Sequence, residues 1–186
     1  MERKGEIAVR DNRSRLTAMT LTGVMTALIT VCTMVLPIPI PMTTGYVNLG
    51  DGILFLSVML VGWKYGAFAG GVGASLADLL LGSAAWAPWT LLIKAAMAGI
   101  AGKIMEFGGN HAAQKASLLW NAAGMLTATI FMAAGYYIAE GVMYGNWAVP
   151  AIGLPWNLAQ GAIGTAAACF LSSALRRTSA GKYFYR

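Results

Sequence analysis

Charge is what this chain has least of. Lys, Arg, Asp and Glu together make up 11% of its 186 residues, against about a quarter in an ordinary soluble domain. Too little polar surface is left to clothe a water-soluble globule of this length. Histidine is nearly absent: His111 is the only one, and it reads as a solvated, inert loop residue. The two cysteines, Cys32 and Cys169, fall in apolar runs with no CxxC spacing and no neighbouring His. Neither a disulfide nor a metal site is expected from them. The chain contains no G-x-x-x-x-G-K-[ST] loop, no H-E-x-x-H and no G-x-S-x-G. ATP binding through a Walker motif, zincin chemistry and a nucleophile elbow are therefore excluded. No cofactor is called for, and no energy-coupling machinery is encoded.

What is present is apolar and small. Hydrophobic residues make up 58% of the chain, with 23 Gly and 11 Met. Glycine-rich apolar sequence suits membrane helices, whose backbones approach closely at small residues. Segmentation by apolar runs and breakers predicts an all-α bundle of six transmembrane helices, at about 16–36, 48–62, 65–81, 88–105, 117–140 and 150–175. A tail is expected at 1–15 and another at 176–186, with no linker and no second domain. The first run lacks an A-x-A cleavage pattern and is read as a retained helix, not a signal peptide. Pro37, Pro39 and Pro41 cannot continue a helix, so 37–47 is expected to be an extended loop. The second and third helices are short for a hydrocarbon core of about 30 Å.

The 13 basic residues order these helices across the membrane. Five lie in 1–15 (Arg3, Lys4, Arg10, Arg13, Arg15), Lys64 sits between helices 2 and 3, and Lys103 and Lys115 between helices 4 and 5. Four more lie in the C-terminal tail (Arg176, Arg177, Lys182, Arg186). If six helices cross, all twelve fall on one side and none on the other. That is a strong positive-inside signal, which puts both termini in the cytoplasm of a plasma-membrane protein. The same distribution argues against nucleic acid as a partner, because the basic residues are not interleaved with aromatics on one face. The lipid bilayer accounts for them.

The remaining basic residue, Lys94, lies inside helix 4, and other polar residues gather at its level. Asn48 and Asp51, Ser75 and Asp78, Thr90 and Lys94, Tyr136 and Glu140, and Asn157 and Gln160 are pairs three or four apart, each on one helix face. All five pairs fall in the outer halves of their helices, with Lys94 about 9 Å below Pro88 at ~1.5 Å per residue. The inner halves are almost purely apolar. One polar cavity open to the outside accounts for the shared depth, and intramembrane ionisable groups are functional candidates by default. Structural readings stand beside this one. Lys94 can be half of an ion pair with Asp51, Asp78 or Glu140. Asp51 can cap its helix, Asn157 and Gln160 can bond helices together, and Glu140 can be interfacial. Trp86, Trp89, Trp147, Trp156, Tyr46 and Tyr144 also lie near the outer face, as an aromatic belt or as a stacking surface for a flat heterocycle. Trp89, next to Thr90, is the aromatic residue expected to touch a ligand. In helix 1, Gly23 and Ala27 form a smooth stripe suited to close helix contact.

These stretches together carry a resemblance. The chain resembles the substrate-binding S components of energy-coupling factor (ECF) vitamin transporters in Gly45-Tyr-Val-Asn-Leu-Gly-Asp51 after a proline-rich loop. It does so again in Gly66-Ala-Phe-Ala-Gly-Gly-Val-Gly-Ala-Ser-Leu-Ala-Asp78-Leu-Leu80, in Ala87-Pro-Trp-Thr-Leu-Leu-Ile-Lys94 and in Pro155-Trp-Asn-Leu-Ala-Gln160. The pattern is closest to members for hydroxymethylpyrimidine, pyridoxine or similar small heterocycles, and riboflavin-type members are similar too. The resemblance implies capture of a vitamin-like small molecule from outside, with a loop matching 37–47 closing over it. It also implies docking on a membrane-embedded T component driven by two cytoplasmic ATPases. The family's Ala-x-x-x-Ala docking motif matches Gly23 and Ala27 here. The substrate contacts expected from the shared depth of these residues are Tyr46, Asn48, Asp51, Asp78, Trp89, Thr90, Lys94, Glu140, Asn157 and Gln160. Two rivals remain at this point. One is a stand-alone carrier, coupled to protons through Glu140 or Asp78, although no internal repeat of the usual carrier kind is visible. The other is a membrane enzyme using Asp51 and Asp78 as paired carboxylates.

Overall fold

The computed structural model describes residues 2–111, 114–179 and 184, with backbone alone at 2–14, 110–111 and 114–117. Lys182 and Arg186 lie outside the described residues, and Arg3, Lys4, Arg10, Arg13, His111 and Lys115 have no described side chain. Helix α1 spans Glu2–Val35, so the basic N-terminal segment continues the first helix and is not a separate tail. Pro37 stops it. Ile38–Pro39 (β1) then pairs antiparallel with Tyr46–Val47 (β2), in register Ile38 to Val47. The expected extended loop is thus a small hairpin, with Ile40 buried beneath it and Met42 at its tip in the left-handed region (φ 65°).

Helix α2 covers Gly50–Leu80, but its backbone leaves helical geometry at Gly62 (φ 80°, ψ 169°). The chain doubles back there. A Cβ on Gly66 would lie 2.8 Å from Val58, and one on Gly70 would lie 2.7 Å from Leu54. Residues eight and sixteen apart are about 12 and 24 Å apart along a straight helix, so 50–61 and 63–80 are antiparallel arms in close contact. Glycine makes this packing possible. Gly66 and Gly70 face the first arm, Gly71 faces the Leu91 carbonyl, and Gly73 faces the Thr26 carbonyl. One glycine-rich arm therefore meets three neighbours at backbone distance.

Helix α3 spans Ala87–His111 and α4 spans Gln114–Tyr144; a 3-10 turn at Val149–Ile152 leads into α5, Gly153–Arg176. The α2 hairpin packs on α1, α3 and α5, and α4 closes the bundle against α3 and α5. Among the described residues, four helical stretches are long and apolar enough to cross a membrane: Arg15–Val35, Gly50–Leu80, Leu118–Tyr144 and Val149–Arg176. The core is built of Leu54, Phe55, Met97, Met125 and Met132 with alanines between them.

The bundle has two distinct ends. At one, the β-hairpin, the 81–86 turn and the α4–α5 connection meet. The Trp86 indole N–H donates to Thr44 Oγ1 (3.2 Å), and the Thr44 N–H donates to the Tyr144 hydroxyl (2.9 Å). At the other, the ammoniums of Lys64 and Lys103 flank the Trp63 ring at 5.5 and 5.1 Å.

Candidate functional site

Beneath the β-hairpin lies a cavity of about 410 Å³, its open mouth included. Helices α1 to α5 and the β-hairpin supply its wall. Thr33 comes from α1, Ile40, Gly45, Tyr46 and Asn48 from the hairpin and its exit, and Ala74 and Asp78 from the second arm of α2. Trp86 comes from the 81–86 turn, Thr90 and Lys94 from the start of α3, Tyr136 and Glu140 from α4, and Asn157 from α5. Seven of the ten expected contacts, Tyr46, Asn48, Asp78, Thr90, Lys94, Glu140 and Asn157, line this one space. Asp51 and Gln160 lie directly beneath it, hydrogen-bonded to residues of the wall. Trp89 is partly buried against the core and does not reach the cavity; Trp86, one turn earlier, does. Ser75 is not in the wall, and Ala74 stands at that height instead.

The polar groups fall into a satisfied floor and an unsatisfied wall. In the floor, Lys94 is only 2% exposed, and its ammonium bonds to the Asp51 carboxylate. The same ammonium lies 2.9 Å from the Met132 sulfur and 5.6 Å from the centre of the Tyr136 ring. Gln160 Nε2 donates to the other Asp51 oxygen at 2.6 Å, and Gln160 Oε1 accepts the Asn48 N–H at 2.8 Å. This chain runs from α3 through α2 and α5 to the exit of the hairpin. Glycine again permits the closeness: a Cβ on Gly164 would lie 2.8 Å from the Asp51 Cβ. A buried ion pair that is also hydrogen-bonded by an amide is the arrangement in which charge survives burial.

The wall is different. The Tyr46 hydroxyl donates to Asp78 Oδ1 at 2.5 Å, but Asp78 Oδ2 has no partner. Glu140 Oε2 and the Thr33 hydroxyl are also buried without one. The pKa of the Tyr46 phenol is held well above its ordinary value, first by burial and then by Asp78, so it serves as a donor. The Tyr136 hydroxyl donates to Thr90 at 3.3 Å, and Asn157 Nδ2 to the Gly153 carbonyl at 3.1 Å. Trp86 and Tyr136 form an aromatic corner, with ring centres 6.1 Å apart and planes at 56°. Orphaned buried polar groups cost stability, and three converging on one aromatic-walled space mark a place for a ligand.

Thr33, Trp86 and Tyr136 are the additions to the sequence-derived set; no spacing in helix 1 singles out Thr33. Tyr136 was visible as the partner of Glu140 four residues on, while nothing in the spacing separates Trp86 from Trp89. Trp147 and Trp156 are exposed on the outer surface, as a membrane-interface belt requires. Gly23 and Ala27 are exposed on α1, beside Val24, Leu28 and Val31, and a Cβ on Gly23 would meet nothing within 4 Å. Among the described residues, no group of three or more His, Cys, Asp or Glu is placed to hold a metal ion.

Residues 14–177 match the family described as the ECF-type riboflavin transporter S component. A Lactococcus lactis subsp. cremoris protein named thiamine precursor transporter HmpT is 30% identical over 169 residues, 90% of this chain and 92% of that one. A Pyrococcus woesei protein described only as uncharacterized, in a gap 3' region, is 38% identical over 117 residues, 63% of this chain and 74% of its own.

Proposed function

Because the chain belongs to the family of ECF-type transporter S components, vitamin-type substrate-binding membrane subunits and not enzymes, we propose that it captures a small heterocycle from outside the cell. The ligand class is hydroxymethylpyrimidine, pyridoxine or a similar single-ring molecule. The observation that carries this is the convergence of unpaired Asp78, Glu140 and Thr33 oxygens on a cavity cornered by Trp86 and Tyr136. A flat ring stacks on the aromatic corner, and its amino and hydroxymethyl groups donate to the orphaned acceptors. The Lactococcus relative, named for a thiamine precursor, supports the single-ring class.

Six crossings with both termini in the cytoplasm fit the basic residues and the two ends of the bundle. On that reading the cavity end is extracellular, and Lys64 and Lys103 are cytoplasmic. The arms of α2, at about 18 and 27 Å by helical rise, cross by thinning the bilayer locally. The 37–47 hairpin is the lid over the ligand. The open stripe of Gly23 and Ala27 docks on the membrane-embedded T component, and two ATPases energise the reorientation that releases the ligand inside.

Calorimetry on purified protein tests the reading. Hydroxymethylpyrimidine or pyridoxine is expected to bind with micromolar or tighter affinity, and Asp78→Asn with Glu140→Gln to weaken it by roughly tenfold or more. Riboflavin binding while both small heterocycles are silent would sink the ligand class. Proton-driven uptake by this chain alone in liposomes, without ATPases, would sink the capture-subunit mechanism.

A further inference from the structure

The charges around the cavity do not balance, and the imbalance bears on which chemical form of a heterocycle it admits. One ammonium, Lys94, meets three carboxyl groups: Asp51, Asp78 and Glu140. The ammonium is already spent on the floor, on the Asp51 carboxylate, the Met132 sulfur and the face of the Tyr136 ring. Two of its three donors therefore have acceptors, and its charge faces a carboxylate and a ring, before any ligand arrives. Among the described residues, no arginine and no second lysine lines the cavity, and the buried side-chain oxygens left without partners belong to Asp78, Glu140 and Thr33.

We propose that Asp78 and Glu140, with Lys94 sequestered by Asp51, make this cavity selective for neutral or cationic heterocycles rich in N–H and O–H donors and closed to their phosphate esters. The inference rests on the proposed capture function and adds the chemical form of the substrate to it. Each orphaned oxygen accepts a donor, so an amino, hydroxyl or protonated ring nitrogen satisfies the site. A phosphate brings negative charge and three acceptor oxygens, and the wall has no uncommitted cation to meet them. Desolvating it there goes uncompensated, since a buried ion needs a partner of opposite sign with bonds to match. That holds whether the two carboxyl groups are ionised or carry protons, because neither state supplies positive charge. Lys94 is on this account a positioning residue. It orients Asp51, and through Gln160 the Asn48 backbone at the foot of the lid.

Paired ligands provide the test. The purified full chain is titrated calorimetrically with hydroxymethylpyrimidine, pyridoxine and riboflavin, and with the phosphate ester of each. The alcohol that binds is expected to exceed its own ester by roughly 100-fold or more. An ester within about tenfold of its alcohol overturns the proposal, whichever heterocycle is involved. If only riboflavin binds and its ester does not, the ligand class above fails while the charge rule stands. Silence from all three alcohols overturns both. The cause is tested by Asp51→Asn, which frees Lys94 without changing side-chain volume, and by the Asp78→Asn, Glu140→Gln double variant. Each is expected to narrow the alcohol-to-ester gap by about tenfold. Should Asp51→Asn fail to fold, the double variant decides, because neither of its sites belongs to the floor ion pair. An unchanged gap in a folded double variant refutes the assignment.

Discussion

Removing the Lys94 side chain separates a structural lysine from a ligand-binding one. Lys94→Met leaves the Asp51 carboxylate, 1% exposed, with a single amide donor from Gln160 at 2.6 Å. Breaking a buried pair from one side costs about 3–5 kcal/mol, because the surviving charge is left uncompensated. Asp51→Leu alone is expected to cost a similar amount, since it strands the ammonium. Combining Lys94→Met with Asp51→Leu removes both charges and leaves only the Gln160 amide without its acceptor, about 1–3 kcal/mol. The double variant should therefore be more stable than the sum of its parts by at least ~2 kcal/mol, a coupling large enough for a double-mutant cycle to resolve. Unfolding in detergent–SDS mixed micelles measures each corner. Additive effects would refute the ion-pair account. Ligand titration of the same proteins adds a second readout: a positioning lysine predicts that the double variant keeps affinity within about tenfold. A folded double variant that no longer binds would make Lys94 a direct contact.

Other expectations follow from single observations. Gly62→Ala places a Cβ where φ is 80° and ψ is 169°, a region glycine alone enters freely, and should cost about 1–3 kcal/mol of stability; a neutral result in SDS unfolding would mean that the reversal relaxes. Gly161→Val meets Thr129 Cγ2 and Oγ1, which lie 2.2 Å from the nearest side-chain position, and should part α4 from α5, reducing folded yield on size exclusion. Thr44→Val removes the acceptor of Trp86 and the hydroxyl partner of Tyr144 (2.6 Å); losing bonds worth about 1 kcal/mol each should raise the ligand dissociation rate roughly three- to tenfold in stopped flow. Gly23→Leu fills the open stripe on α1 and should leave ligand affinity unchanged while reducing ATP-driven uptake in cells at least tenfold; normal uptake would place the docking face elsewhere.

The height of each polar residue was legible in the sequence, and its direction was not. Helical rise turns a count from a helix end into a depth, so the pairs from Asn48–Asp51 to Asn157–Gln160 could be set at one level before any fold was known. Azimuth depends on how each helix enters. The 81–86 turn, held by the Trp86 N–H to the Ser83 carbonyl (2.9 Å), points Trp86 inward and leaves Trp89 against the core. The prolines at 37, 39 and 41 forecast an extended segment, but pairing with Tyr46–Val47 needs a partner strand that local pattern does not reveal. Gly62 ended the second expected helix at the right residue. Only the backbone shows that the reversal takes place at that single position. The stripe of Gly23 and Ala27 was ambiguous for a related reason: small residues serve equally inside and outside a bundle, and packing decides which.

The division between floor and wall explains how one polar pocket can be both stable and receptive. If every buried polar group in the outer half of the bundle waited for a ligand, the empty protein would bear several uncompensated desolvation costs at once. The most demanding charges, Lys94 and Asp51, are instead matched to each other and tied by Gln160 to the lid's exit at Asn48. They hold α2, α3 and α5 in register with no ligand present. The groups left open, one oxygen each on Asp78, Glu140 and Thr33, come from α2, α4 and α1. A ligand that satisfies them therefore ties α1, which the floor does not reach, to α2 and α4, which it does. Gly45 lies against Glu140, where a Cβ would be 3.0 Å from the carboxylate, so a ligand bonded to that carboxylate sits directly beneath the β-hairpin.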